Sequence, residues 1–538
     1  MSIRFWVDRL AGGPAKSRAL NRGARIRNGK LTIGLLLVSV GVLMTLGCGG
    51  SSSSSPTTSA GTGALYTFLG DAPACDVLSF SMFPSEMDLH KEGKPFIAEY
   101  NVTVWPTNTI TVSPVIEMSA LRDTQTVANL TSIPAGTYDQ AILSVVVNNS
   151  AVFDSAQNPP FSSFSPSVST SSVTVPIQPP LTVEGGKVSA LELDLNLPQS
   201  LAVDSQGQLT GVVNWAFTAR PVAASGTNGF GEFDNLYGFV RSVNPSSPGT
   251  GFTSSFLLQT LSQTLSGSGP ALNVDLTDKT NLCFGDNCQI PVSQINQMPT
   301  GNYVGVDAYI DANGNVVAKT IQVGTRESLS QQLLAYMGPV LTVTKDPSGN
   351  VNQFTMLVRE TQPNDATDIP VDTAVTVNVS SSTTYGAYLL SSDLASLANS
   401  GNLALGPSTL APGEEVVVSG VFSKPTSGPV NVVADSISQQ LQSVQGQFSA
   451  LAGTPGSDNK TGGFQLVPCN GLLSNYPFMV VTDAQTDFVN TSGLSTLSPT
   501  SSVLARGLMF FAANGTTLNG INIPAGTMVL LARSVRQF

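Results

Sequence analysis

From Leu236 to the C-terminus the chain repeats one unit three times, and this recurrence restricts the fold more than any other feature. Each copy opens on a strand-like run: LYGFVRSVNPSS at Leu236, AYMGPVLTVTKDPSG at Ala335, SVQGQFSALAGTPG at Ser443. After a turn comes a strand led by phenylalanine: FLLQT at Phe256, FTMLV at Phe354, FQLVP at Phe464. A third strand runs into a threonine-containing corner, LNVDLTDKTNL, VTVNVSSSTTY and FMVVTDAQTDF, and a short helix-prone piece follows, PVSQINQM, SSDLASLAN and SGLSTLS. Two closing strands complete the unit, as in Tyr303 to Ile310 with Val316 to Val323, or Glu415 to Phe422 with Val430 to Ile437. Three strands, a short helix and two strands is the order of an OB-type barrel, a Greek-key closure that leaves no exposed edge. Most of the phenylalanines fall at core phases of their strands, which favours packing over ligand stacking.

Before the repeats the apolar pattern has period two. Leu191, Leu193, Leu195 and Leu197 alternate with Glu192, Asp194 and Asn196, the signature of a half-buried strand. Ile110 to Met118 and Ala141 to Val147 are further strand candidates, separated by Pro, Asn and Ser clusters. The expected fold is therefore all-β: an N-terminal antiparallel β-sandwich over residues 64–222, followed by three small OB-like β-barrel modules, each with a short helix. The modules are expected at 236–324, 335–440 and 441–538, with linkers at 223–235 and 325–334.

The sequences ALYTFLGDAPACDVLSFSM (Ala64 to Met82), LRDTQTVANLTSIPAGTYDQAILSV (Leu121 to Val145) and LELDLNLPQSLAVDSQGQ with FTARPV (Leu191 to Val222) resemble the bacterial envelope domain of unknown function 4382. Gly70 stands where that family usually has threonine before Asp71. The repeats, through G-x-V-x-x-V followed by F-x-L, resemble domain of unknown function 5666, which recurs in exported proteins. Neither resemblance implies an activity; both imply an envelope location and an all-β fold.

Residues 1–30 carry eight basic side chains and the single acid Asp8, and Leu31 to Gly47 is an uncharged apolar run of 17 residues. A basic region, an apolar region and small residues before a break form an export signal. With Cys48 directly after Gly47, the segment resembles a bacterial lipoprotein signal, which implies cleavage between Gly47 and Cys48 and lipid attachment at Cys48. Thr45 occupies the position where that pattern has an aliphatic residue. An uncleaved anchor and an ordinary signal peptide are the alternatives. Residues 48–63, rich in Gly, Ser and Thr, have the composition of a flexible tether.

Four more cysteines follow: Cys75, Cys283, Cys288 and Cys469. Export makes disulfides allowable, and the short spacing in LCFGDNC predicts a Cys283–Cys288 bridge. Cys75 and Cys469 fall in different expected domains, so two buried thiols are favoured over a bridge between them.

One histidine, His90, removes mechanisms that need an imidazole beside a nucleophile. In MDLHKEG it reads as a surface turn residue. No G-x-S-x-G, H-E-x-x-H or P-loop pattern is present. Glu86 with Asp88 and Glu414 with Glu415 are read as solvated strand and turn residues. Asp311-Ala-Asn-Gly-Asn315 begins like a calcium loop, but its twelfth position is Gln322 in place of glutamate. It and Asp346-Pro-Ser-Gly-Asn350 read better as hairpin tips. No catalytic residue, metal ligand or cofactor is expected.

Removing residues 1–47 takes away eight of the 24 basic side chains and one of the 35 acidic ones, leaving a net charge of −18. Such a surface repels phosphate backbones, and Arg241, Lys319, Lys345, Arg359, Lys424 and Arg506 are scattered, so nucleic acid is excluded as a partner. The expected role is a lipid-anchored cell-envelope protein, held at the membrane through its N-terminal lipid, that acts without catalysis in binding, adhesion or scaffolding. Its partner would be an unknown protein or glycan. The rival readings are a carbohydrate-binding surface lipoprotein of polysaccharide uptake or wall remodelling, using Trp105, Trp215 or Tyr385, and an enzyme working through carboxylates alone.

Overall fold

The computed structural model describes residues 61–538 apart from 73, 92–96, 102–115, 122–124, 169, 206–208, 225–228, 245–250, 262–267, 285–286, 299, 301, 324–334, 363–371, 388–391, 424–428 and 500. Gly47, Cys48, Trp105 and Lys424 lie outside the described residues, as does most of the tether.

The N-terminal region comprises β1 (Thr62–Ala72), β2 (Val77–Lys91), β3 (Ile97–Asn101), β4 (Ile116–Glu117), β5 (Gln125–Pro134), β6 (Gly136–Phe153), β7 (Phe161–Phe164), β8 (Ser167–Val168), β9 (Ser172–Val183), β10 (Val188–Asn196), β11 (Leu201–Val203), β12 (Leu209–Val213) and β13 (Phe217–Val222). The main path runs β3-β2-β6-β9-β13-β10-β1-β5, and its two halves meet through a single parallel pairing, Ala219 with Ile177. Folded face to face, the halves form a sandwich that buries Phe80 and Met82 of β2 with Leu143 of β6, Leu65 and Leu69 of β1, and Leu191, Leu193 and Leu195 of β10. Most pairings are antiparallel, as expected, but β1 runs parallel to β10. Alternation reveals which face a residue occupies and not which strand lies alongside. The expected strand alternation at Leu191–Leu197 stops at Asn196, whose side chain accepts from the Gln199 amide at 3.0 Å and caps the short helix α1 (Leu197–Ser200).

The first repeat folds as β14 (Gly231–Asn244), β15 (Ser254–Leu261), β16 (Ser268–Leu276), β17 (Asn281–Phe284), β18 (Asn287–Ile290), β19 (Tyr303–Ile310) and β20 (Val316–Val323). The second is β21 (Ala335–Lys345), β22 (Val351–Val358), β23 (Glu360–Gln362), β24 (Thr373–Asn378), β25 (Thr384–Ala387), α2 (Ser392–Ser400), β26 (Glu415–Ser423) and β27 (Val430–Gln439). The third is β28 (Gln442–Leu451), β29 (Gly462–Pro468), β30 (Phe478–Thr482), β31 (Asp487–Val489), β32 (Ser502–Ala512), β33 (Thr516–Leu518), β34 (Ile521–Ile523) and β35 (Thr527–Gln537). Numbering the barrel strands of each repeat one to five, every copy closes in the cyclic order 1-2-3-5-4-1, with strands three and five parallel. This is the OB-type closure the sequence predicts. Between strands three and four, α2 serves the second barrel, and 3-10 turns at Val292–Gln297 and Leu494–Thr496 serve the other two.

Two repeated devices explain why the sequence returns to the same residues. Phe256, Phe354 and Phe464 are fully buried at the head of strand two. Thr280, Thr383 and Thr486 lock the corner after strand three. Each hydroxyl donates to a carbonyl of strand five, Ala318, Ala434 or Ala532, at 2.8, 2.8 and 2.9 Å. Each also accepts from the amide three residues earlier, at 3.0, 3.0 and 2.9 Å. The first-strand glycine Gly338 has its own reason, because a Cβ there would lie 1.8 Å from the Leu357 carbonyl oxygen. Only glycine allows the strands so close.

The modules pack on one another. The outer face of β1 places Tyr66 and Phe68 in one cluster with first-barrel residues such as Phe233 and Ile310, so β1 is buried on both sides. Leu394 and Leu397 of α2 pack with Leu508, Phe510 and Ile521 of the third barrel. Arg533 of the third barrel lies 3.9 Å from Asp307 of the first. The modules are therefore not separate bodies on linkers: the apolar residues left over outside each barrel are spent on its neighbours.

Candidate functional site: the junction of the sandwich with the second and third barrels

Polar chemistry concentrates where β2 meets the second and third barrels. Leu78 of β2 is buried there with Leu341 and Leu357 of the second barrel and Leu472 of the third. The next residue, Ser79, points its hydroxyl at two acids. It donates to Glu117 Oε2 at 2.6 Å and contacts Asp372 Oδ1. Glu117 also accepts from Ser81 Oγ (2.8 Å), the Phe80 amide (2.8 Å), the Ser119 amide (3.0 Å) and Ser119 Oγ (2.6 Å). Asp372, just before β24, has a φ of 63° and a second oxygen, Oδ2, with no hydrogen-bond partner among the described residues. Burial, then the nearby Glu117 charge, pushes its carboxyl up to about 8, against the pull of Ser79 and Arg359.

Arg359 ties the same junction together. It is buried, its Nε donates to the Leu78 carbonyl, and its Nη1 holds both oxygens of Glu415 at 3.0 and 2.8 Å. The Glu415 amide donates in turn to Gln442 Oε1 of the third barrel at 2.8 Å. Glu414 is fully buried, accepts from the Ala411 amide at 3.0 Å, and is pushed up to about 8 by burial. The reading of Glu414 and Glu415 as solvated residues is thus overturned. Their neighbours in sequence are a turn and a strand, but the third barrel packs over them, with Gln442 at the Glu415 amide and Phe511 at Glu414.

Cys75 and Cys469 form a disulfide from the sandwich to the third barrel, with Cα atoms 5.3 Å apart. The expectation of two thiols fails because the chain folds back on itself, bringing residues 394 apart into contact. Behind this bond lies a cavity of about 50 Å³, lined by Ser119, Arg359, Gln440 and Arg506 among others. Ligand pockets run to about 300–1,000 Å³, so this volume suits a few water molecules and not a sugar.

The other predicted residues lie apart from the junction. Cys283, on β17, is disulfide-bonded, and β17 pairs with β18, which carries Cys288; the Cys288 side chain lies outside the described ones. His90 sits in β2, where a surface turn was expected, with Nδ1 at 2.8 Å from Asp139. Glu86 and Asp88, on the same strand, are half-buried. Asp311 and Asp346 are hairpin tips whose carboxylates accept from their own loop amides, Asn313 and Asn315 at 2.8 Å and Ser348 and Asn350 at 2.8 and 3.0 Å. Tyr66 Oη donates to the Gly314 carbonyl at 3.0 Å, docking the first of these tips on the sandwich. Trp215 is no open platform: its indole N–H donates to Thr170 and its ring packs edge-on against Phe80. Tyr385 is partly buried against the second barrel's core. Of the scattered cations, Lys319 pairs with Glu232 at 2.7 Å. A shallow hollow of about 480 Å³ at one end of the first barrel is lined by Thr253, Ser254, Asp278, Val292 and Ile295, with no aromatic ring among its lining residues.

Fold and site together define a multi-barrel β protein whose N-terminal sandwich is clasped covalently to its last barrel. Neither the protein-family models nor the curated proteins compared with the chain give a match.

Proposed function

We propose that this chain is a lipid-anchored cell-envelope protein that serves, without catalysis, as a surface binding, adhesion or scaffold module. The observation that carries the reading is the Cys75–Cys469 bond, a long-range structural disulfide of the kind that persists in oxidising compartments. It supports the export implied by the basic and apolar N-terminus, by Cys48 and by the resemblance to domains of unknown function 4382 and 5666. The fate of the acids supports the non-catalytic part. Glu117, Asp372 and Glu415 are consumed in holding modules together, beside a cavity too small for a substrate. The carbohydrate-binding alternative loses support at Trp215 and Tyr385, which are partly buried against the cores of their own modules.

Substituting Cys48→Ser in the full-length chain tests the anchor. Metabolic labelling with a fatty acid should disappear, and the precursor should remain uncleaved. Unchanged labelling and fractionation would refute the lipoprotein reading, and selective retention on one polysaccharide in a glycan screen would move the role to carbohydrate binding.

A further inference from the structure

The Ser79 hydroxyl has one proton and stands between two carboxyl groups. Five hydrogen-bond donors converge on Glu117, the arrangement of a carboxylate that only accepts. If Ser79 spends its proton on Glu117, it can meet Asp372 only as an acceptor, and Asp372 must then supply a proton of its own. Among the described residues the cation on this cluster is Arg359, and it is already committed to both oxygens of Glu415. Two buried ionised carboxylates around one hydroxyl would have only that shared arginine to offset them.

We propose that Asp372, Ser79 and Glu117 form a neutral acid–hydroxyl–carboxylate chain that latches the sandwich to the second barrel and is released by alkali. The charged groups facing it are Glu117 from β4, Arg359 from the end of β22 and, through Arg359, Glu415 from β26. The raised Asp372 value, about 8, agrees with the geometry. The sign follows from proton counting. Between the ordinary aspartate value of about 4 and the folded value, the latched form holds one proton more than the opened form. Latching is strongest at acid pH, weakens by up to roughly tenfold per pH unit through that window, and stops changing above it.

The test compares the full-length wild-type chain with Asp372→Asn, an amide that keeps a donor for Ser79 and has no proton to lose. Amide exchange is followed at Phe80 and Ser119, which donate to Glu117, with each rate corrected for intrinsic pH dependence. Wild-type protection should fall as pH rises and then level off, whereas D372N should show no such fall. An equal fall in both chains would overturn the proposal. So would calcium-dependent protection present in the wild type and lost in D372N, because the acids would then share a metal cation in place of a proton. Should D372N not fold, E414Q removes the other buried acid of similar value. Its infrared spectrum must still show a neutral-carboxyl C=O band near pH 7 that disappears in alkali, and absence of that band would refute the latch.

Discussion

Replacing the corner threonines by valine tests the repeat at its most specific point. Thr280, Thr383 and Thr486 are 5%, 8% and 1% exposed, so valine fits the same space and removes only the hydroxyl. The turn amides of Thr277, Ser380 and Asp483 lie nearer the surface and can recover water. The strand-five carbonyls of Ala318, Ala434 and Ala532 belong to buried residues and cannot. A buried polar group left without its partner costs about 1–3 kcal/mol, so each Thr→Val change should destabilise its barrel by about 2 kcal/mol. If a barrel of roughly 100 residues melts as its own unit, that is a downward shift of about 10 °C in its calorimetric transition. Thr→Ser keeps the hydroxyl and loses one methyl, for about 1 kcal/mol. The informative result is the inversion, with the more apolar substitution the more damaging in a buried site. Valine variants within about 0.5 kcal/mol of wild type at all three corners would refute the lock.

Three further outcomes follow from the junction and the barrels. Cys75→Ala, Cys469→Ala and the double substitution should each lose the same about 2–5 kcal/mol, because all three remove one bond; a double variant much worse than either single one, measured by denaturant unfolding, would contradict that. Arg359→Met should cost about 3–5 kcal/mol by leaving Glu415 buried without a counter-charge, and adding Glu415→Leu should restore much of it. Gly338→Ala drives a methyl into the Leu357 carbonyl and should cost about 1–3 kcal/mol or more, read as a lowered melting temperature of the second barrel.

The barrels were legible because their determinants are local. A phenylalanine heading strand two, a threonine that caps the amide three residues before it, and Asp-x-x-Gly-Asn at a hairpin tip each leave a short, recognisable pattern in the sequence, although the threonine's second partner lies 38, 51 or 46 residues on. The three copies also corroborate one another. The junction was hidden for the opposite reason. Asp372 lies 293 residues from Ser79, Arg359 lies 281 from Leu78, and nothing near Glu414 announces that the third barrel will cover it. His90 was misread because its partner, Asp139, comes from the next-door strand β6, 49 residues on. Trp215 looked displayable on composition alone, yet Phe80 and Thr170, both far along the chain, hold it partly buried.

The covalent clasp also sets a schedule for making the protein. A chain that emerges from its N-terminus presents Cys75 long before Cys469 exists, while Cys283 arrives after only 208 positions. Loop closure favours the nearer thiol by about 0.6 kcal/mol, so equilibrium scarcely discriminates and timing works against the native pair. What protects it is the order of events: Cys283, itself disulfide-bonded in the folded chain, must be taken up in its own bond while Cys75 still waits. The last barrel to be synthesised therefore completes the first domain, and a chain cut short before Cys469 would leave the sandwich with a reactive, unmatched sulfur.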